Sequence, residues 1–139
     1  MYVMRMNWLM LSVIAMIMWG FWGFFAKLAA SSLDWKQAYV MVGLVGALVY
    51  VVAFLFLKPQ ISIGGGFYYA ILAGIAGPLG GIAFYQALGN GKASLVIPVA
   101  ALYPVVTIAL AFLVLSEKLT LTHGIGIMLA MASIFFMSL

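Results

Sequence analysis

Five long apolar stretches, separated by short polar connections, dominate the pattern of the sequence. A hydrocarbon core of about 30 Å needs about 20 apolar residues at a helical rise of about 1.5 Å per residue. Each stretch reaches that length, so we predict an all-α integral membrane protein with five transmembrane helices. The predicted spans cover residues 8–30, 38–57, 67–88, 93–115 and 121–139.

The connections between these spans carry nearly every charged residue and are only a few residues long. They leave no room for a domain outside the lipid bilayer, so the function must be carried out within the membrane. We therefore expect a single transmembrane domain over residues 1–139, located as a multi-pass protein in the cell (plasma or inner) membrane.

The composition excludes several classes of protein. Of the residues, 68% are hydrophobic, with only six Lys or Arg, two Asp or Glu and no cysteine. This chain cannot cover a soluble domain with polar groups, and it has no clustered basic patch for nucleic acid. Neither acid falls within a span and there is one histidine, so we expect no enzyme, no metal site and no cofactor.

The basic residues are balanced between the two sides of the membrane. Arg5, Lys58 and Lys118 fall on one side of the predicted spans, and the remaining three lysines fall on the other. The positive-inside rule assigns the orientation of a membrane protein from an excess of Lys and Arg on one side. A balance of three against three leaves two alternatives: a single orientation set by other features, or both orientations.

The third span carries glycines and a proline near its midpoint. We expect an interruption or a kink around Gly77, Pro78 and Gly81, because proline removes a backbone donor and clashes with the preceding turn. Tyr85 lies on the same face and Gln86 supplies an amide. Broken helices mark binding sites in transporters, whereas a Gly-x-x-x-Gly pattern also serves plain helix packing.

The fourth span has Pro98 near its start and Pro104 near its middle, and we expect both to set helix breaks. Tyr103 and Thr107 are one turn apart, so their hydroxyls can face a substrate from one side of the helix. In the alternative interpretation, Thr107 bonds to its own helix backbone.

The first span places Trp19 and Trp22 near mid-membrane, beside the small residues Gly20 and Gly23. Membrane tryptophans usually gather at the interfaces, so these two are candidates for an aromatic wall around a substrate, or for lipid-facing and core packing. In the last span, Gly126 begins a small-residue face suited to helix association.

Several of these positions together resemble the EamA-type repeat of the drug/metabolite transporter superfamily. The resemblance rests on Trp19-Gly20, Lys27, Ala87-Leu88, Ala93-Ser94, Pro98, Pro104, Glu117, Leu119-Thr120 and Gly126. Within that superfamily the chain is most similar to the bacterial and archaeal transporter group, whose members have one five-helix repeat.

The resemblance implies transport of a small metabolite or amphiphilic substrate by alternating access. Full-length relatives have a second, inverted repeat, so we expect an antiparallel homodimer or pairing with an oppositely oriented relative. Trp22, Tyr85 and Tyr103 are expected to line the cavity, with Gln86 as a polar contact. The alternative is a non-transporting accessory or scaffold subunit that associates through its glycine-rich helix faces.

Overall fold

The structure is a computed structural model that describes residues 3–116, 118 and 120–138, and only the backbone of residues 3–7, 123, 137 and 138. Within these residues all regular secondary structure is helical and there is no β-strand, which confirms the all-α prediction. Glu117, Leu119 and Leu139, which the sequence analysis used, lie outside the described residues. The helices are α1 (Val3–Ser32), α2 (Trp35–Leu57), α3 (Gly65–Asn90), α4 (Ala93–Ala100), α5 (Tyr103–Val114) and α6 (Leu121–Ser138).

Four helical stretches of the described chain are long and apolar enough to cross a membrane. They are Trp8–Ser32, Trp35–Leu57, Gly65–Asn90 and Ala93–Val114, the last of which contains both α4 and α5. The fifth predicted span corresponds to α6. Within α6, residues Gly124–Phe136 form an apolar stretch that is shorter than the other four. This chain is therefore a multi-pass membrane protein.

The ends of α2 show how single residues stop the long helices. Asp34 precedes α2 in an extended conformation, and its Oδ2 accepts a hydrogen bond from the Lys36 amide at 3.2 Å. Lys58 ends α2 in the left-handed region, with φ 44°, and donates its amide to the Phe54 carbonyl. Pro59 follows and cannot continue the helix. Both connections are thus defined by short-range capping.

The described helices fall into two compact units. Unit 1 (Met1–Asn90) contains α1, α2 and α3, and each of these helices packs against the other two. Unit 2 (Gly91–Leu139) contains α4, α5 and α6, and α4 packs against α6. The single predicted domain therefore consists of two units along the chain.

Packing in unit 1 is concentrated at one end of its helices. We call residues 22–32, 35–39 and 78–90 the closed end, and residues 8–21, 40–57 and 65–77 the open end. The large buried residues Tyr85 and Leu88 lie at the closed end with three alanines, Ala26, Ala30 and Ala38. None of the described side chains at the open end is buried. Unit 1 is thus held together mainly where α1 ends and α2 begins.

The three prolines predicted to set helix breaks have different surroundings. α3 continues as α-helix from Gly65 to Asn90 with Pro78 inside it, so the helix is not interrupted there, and the alternative of a kink stays a prediction. Pro98 likewise lies inside α4. The fourth span divides between Ala100 and Tyr103, immediately before Pro104. A proline in the first turn of a helix loses no intrahelical bond, which is why α5 can start there.

Candidate functional site

Four aromatic side chains from all three helices of unit 1 meet at the closed end, and we call them the aromatic cluster. Trp22 of α1 stacks on Phe84 of α3, with ring centroids 5.4 Å apart and planes 16° from parallel. Tyr85 meets Trp22 edge-on at 6.4 Å and Tyr39 of α2 at 5.8 Å. Offset stacking and edge contacts of this kind are the favourable arrangements of aromatic rings. The cluster therefore fixes one helix against another.

Tyr85 lies at the centre of the aromatic cluster. Its side chain is only 3% exposed, and its hydroxyl is buried without a hydrogen-bond partner in the described part of the chain. An unpartnered hydroxyl in an apolar interior costs about 1–3 kcal/mol. Such a group is expected where something outside the chain supplies the partner. The Tyr85 hydroxyl is therefore the strongest candidate for a polar contact with a ligand.

Two glycines of α3 let α2 approach closely at the closed end. A Cβ placed on Gly81 would lie 3.0 Å from the Tyr39 ring, and one on Gly89 would lie 3.1 Å from the Trp35 Cβ. Helices in membranes associate through small residues of this kind. Gly77 and Gly20 have no neighbouring atom within 4 Å of a placed Cβ, so no described side chain of unit 1 covers these two positions.

The inner faces of α1 and α3 continue from the closed end into the open end. Trp19 precedes the buried Gly23 and Ala26 by one and two helical turns, yet its side chain is 63% exposed. Gly74 precedes Gly81 by two turns and is also uncovered. Within unit 1 these faces are therefore exposed at the open end, and Trp22 of the aromatic cluster is itself 44% exposed.

Two hydrogen bonds fasten α3 to its neighbours at the closed end. The Lys27 Nζ donates to the Leu88 carbonyl at 2.7 Å, and the Tyr39 hydroxyl donates to the Pro78 carbonyl at 2.9 Å. Leu88 is in the last turn of α3, where carbonyls lack intrahelical donors and favour a cation. Lys27 thus bonds across to another helix, although its position near a helix end is also typical of lysines that reach the interface.

The predicted hydroxyls of the fourth span lie in unit 2. Tyr103 begins α5 and is exposed, and the Thr107 Oγ1 lies 3.3 Å from the Tyr103 carbonyl. The backbone bond that the sequence left open as an alternative for Thr107 is therefore present. Pro98 lies inside α4, and Gly126 of α6 has nothing within 4 Å of a placed Cβ.

Sequence reasoning selected Trp22 and Tyr85, and the structure brings these two together. Gln86 is exposed on another face of α3 than Tyr85. Tyr39 and Phe84 were missed: Tyr39 comes one turn after the start of α2, where an aromatic residue is typical of the membrane interface. The glycine at position 81, which admits the Tyr39 ring, was the available signal for this contact.

The described residues contain no group of His, Cys, Asp or Glu side chains that could hold a metal ion. The aromatic cluster offers ring faces for stacking and the Tyr85 hydroxyl for a hydrogen bond. These groups suit reversible binding of a small organic molecule.

Comparisons with known proteins agree with this architecture. The model of the EamA-like transporter family matches residues 6–139. The chain is also 32% identical over 132 residues to an uncharacterised protein of Methanocaldococcus jannaschii, covering 94% of this chain and 96% of that protein. No solved structure matches the chain. A match over nearly the whole length, on a multi-pass helical fold, shows that this chain belongs to the EamA-like transporter family.

Proposed function

We propose that this chain is half of a transporter that moves a small metabolite or amphiphilic compound by alternating access. The observation that carries the proposal is the contrast within unit 1: an aromatic cluster with an unpartnered hydroxyl closes one end, and none of the described side chains at the other end is buried. Packing at one end and not at the other is the asymmetry that one state of such a transporter requires. Membership of a transporter family supports the same function.

Substrate recognition is proposed to centre on Trp22 and Tyr85. The Trp22 ring is partly exposed and can stack on a flat or apolar group, while the Tyr85 hydroxyl, which is buried in this state, supplies a hydrogen bond once the rings around it separate. A desolvated hydroxyl discriminates strongly, because a ligand without a matching group leaves it unpaired. Trp19, one turn before Gly23, is exposed at the open end. Gln86, Tyr103 and Thr107 remain predicted contacts.

Transport in proteoliposomes tests this proposal. Vesicles containing the wild-type chain are assayed for uptake of ethidium, tetraphenylphosphonium and a panel of radiolabelled amino acids and sugars. Trp22→Ala should lower uptake of the transported probe about tenfold, since the stacking surface is lost. Trp8→Ala, at an exposed tryptophan far from the aromatic cluster, is the matched control and should leave uptake unchanged.

If the chain is instead a scaffold subunit, the opposite result is expected in the same vesicles. If no probe is transported, or if Trp22→Ala has no effect while Gly126→Leu abolishes assembly, the helix faces serve association alone. Gly126 is the suitable position for this comparison because its face is uncovered in this chain.

We propose further that the functional unit is an inverted pair, either a homodimer of opposite orientations or a complex with an oppositely oriented relative. The balanced distribution of Lys and Arg supports insertion in both orientations. Single cysteines at Ser32 and Ser62 of this cysteine-free chain can be labelled in intact cells with an impermeant thiol reagent. Comparable labelling of both sites is expected for the homodimer, and labelling of one site alone would exclude it.

A further inference from the structure

Two hydrogen bonds between described residues of unit 1 join different helices at the closed end, and both end on α3. Lys27 comes from α1 and Tyr39 from α2, so each neighbour of α3 contributes one donor. Both acceptors are backbone carbonyls, of Leu88 and Pro78. Neither donor was among the residues that the sequence pattern selected for the site.

The Tyr39 bond is attached at the weakest point of α3. Pro78 has no amide hydrogen, so the Gly74 carbonyl one turn before it loses its helical donor. Helices bend most readily at such positions. The Tyr39 ring is also seated against Gly81, where a Cβ would be 3.0 Å away, and meets the Tyr85 ring edge-on. Tyr39 therefore holds the flexible middle of α3 against α2, directly beside the aromatic cluster.

The Lys27 bond holds the other part of the closed end. Its ammonium donates to a carbonyl in the last turn of α3, where the helix dipole favours positive charge. A hydrogen bond from a charged donor contributes more than a neutral one, especially away from water. When the bond breaks, the long lysine side chain can reach the nearby interface, and the Leu88 carbonyl can bond to water. The contact is therefore strong when formed and replaceable when broken.

We propose that Lys27 and Tyr39 form a latch whose release opens the closed end of unit 1, with α3 bending at Pro78. The latch regulates access to the aromatic cluster from that side, so this inference rests on the proposed transport function. In the closed state the latch and the aromatic cluster seal one side. In the released state Tyr39 leaves the Pro78 carbonyl, Lys27 leaves the Leu88 carbonyl, and water reaches the space beside Tyr85. Both side chains are positioning residues, since they act by moving helices.

Thiol accessibility in native membranes tests the latch without knowledge of the substrate. The chain has no cysteine, so Ala26→Cys places a single thiol on a buried alanine of the closed end. Maleimide reacts with the thiolate, which forms only where water is present. Labelling of this thiol therefore reports how often the closed end opens. Ser12→Cys, on the exposed part of α1 at the open end, is the second reporter.

Removing a latch contact should raise the labelling rate at position 26. Tyr39→Phe deletes one neutral hydrogen bond and is expected to raise the rate about three- to tenfold. Lys27→Met deletes a charged donor and is expected to raise it about tenfold or more, while Lys27→Arg, which retains a donor, should stay near the wild type. Tyr50→Phe is the matched control, because Tyr50 is on α2 at the open end and is 78% exposed.

The second reporter distinguishes release of a latch from general loosening of the fold. In the latch variants the rate at position 12 should stay constant or fall while the rate at position 26 rises. A rise at both positions, or no change at position 26, would overturn the proposal. The result is independent of flux: absence of uptake by the wild type would refute transport, but an opening controlled by Tyr39 and Lys27 would still be measured.

Discussion

The two ends of unit 1 contain the same kinds of residues but differ in how these residues are used. Glycines, aromatic residues and small apolar residues are present at both. At the closed end Gly81 and Gly89 receive Tyr39 and Trp35, whereas Gly74 and Gly77 at the open end have no neighbour within 4 Å of a placed Cβ. A small residue thus brings two helices together only where the facing helix offers a side chain that fits.

This difference follows from the physics of association in lipid. Lipid tails are as apolar as leucine side chains, so the hydrophobic effect does not press helices together. Dispersion contacts and interhelical hydrogen bonds supply the attraction, and at the closed end both are present around Tyr39 and Lys27. At the open end lipid, a ligand or another chain can occupy the uncovered faces at little cost. The asymmetry therefore suits a protein that must open and close.

The largest effect should come from filling the close approach of α2 and α3. Gly81→Leu would force the Tyr39 ring off its seat and separate the helices, which should destabilise the protein by about 3 kcal/mol. Gly80→Leu, one residue earlier and facing open space, should be neutral or slightly stabilising because leucine favours helix more than glycine. Thermal unfolding in detergent measures both, and equal destabilisation would contradict the packing of Tyr39 against the Gly81 face of α3.

A smaller effect is expected from removing packed volume at the closed end. Leu88 is 0% exposed, so Leu88→Ala leaves a cavity and should cost about 2 kcal/mol. This loss of stability lies near the lower end of the usual range. Lipid tails are as apolar as a protein interior, so the leucine side chain gains packing contacts but no hydrophobic transfer energy when it is buried between helices. Leu79→Ala, at an exposed leucine of the same helix, serves as the comparison and should change the unfolding temperature little.

The smallest expected effect concerns the unpaired hydroxyl in the aromatic cluster. Tyr85→Phe should stabilise the ligand-free protein by about 1 kcal/mol, because it removes a buried hydroxyl that has no partner in the described residues. The same substitution should weaken uptake of the transported probe. Tyr68→Phe, at an exposed tyrosine of α3, should do neither. Loss of stability in Tyr85→Phe would show that the hydroxyl has a partner in the ligand-free protein.

The helices themselves were largely predictable from the sequence. Spans predicted at 38–57 and 67–88 are found at Trp35–Leu57 and Gly65–Asn90. Apolar length determines such spans, and local capping by Asp34 and Lys58 ends them, so no distant contact is needed. Trp22 and Tyr85 were both predicted to line a cavity, because both lie on helix faces with small residues, but the contact between their rings was not predicted.

The hydrogen bond that Pro78 accepts was not predictable from the sequence, which indicated an interruption or a kink at this residue. α3 remains a helix through the proline, and the Tyr39 hydroxyl from another helix bonds to its carbonyl. Tyr39 and Pro78 are 39 residues apart, so no local pattern joins them. Lys27 presents the same difficulty. Its position near a helix end is as typical of a lysine that reaches the membrane interface as of one that bonds to another helix, and only the folded structure places the Leu88 carbonyl beside it.

By itself, the sequence determined that this chain crosses a membrane several times as helices and that it carries no acid within its spans, because composition and apolar length decide how a chain meets lipid. The tertiary structure alone decided which glycines are packed, which hydroxyl is left without a partner and which carbonyls Lys27 and Tyr39 reach. These properties depend on which helix faces meet and at what height, and in lipid that is set by side-chain fit between helices rather than by hydrophobicity.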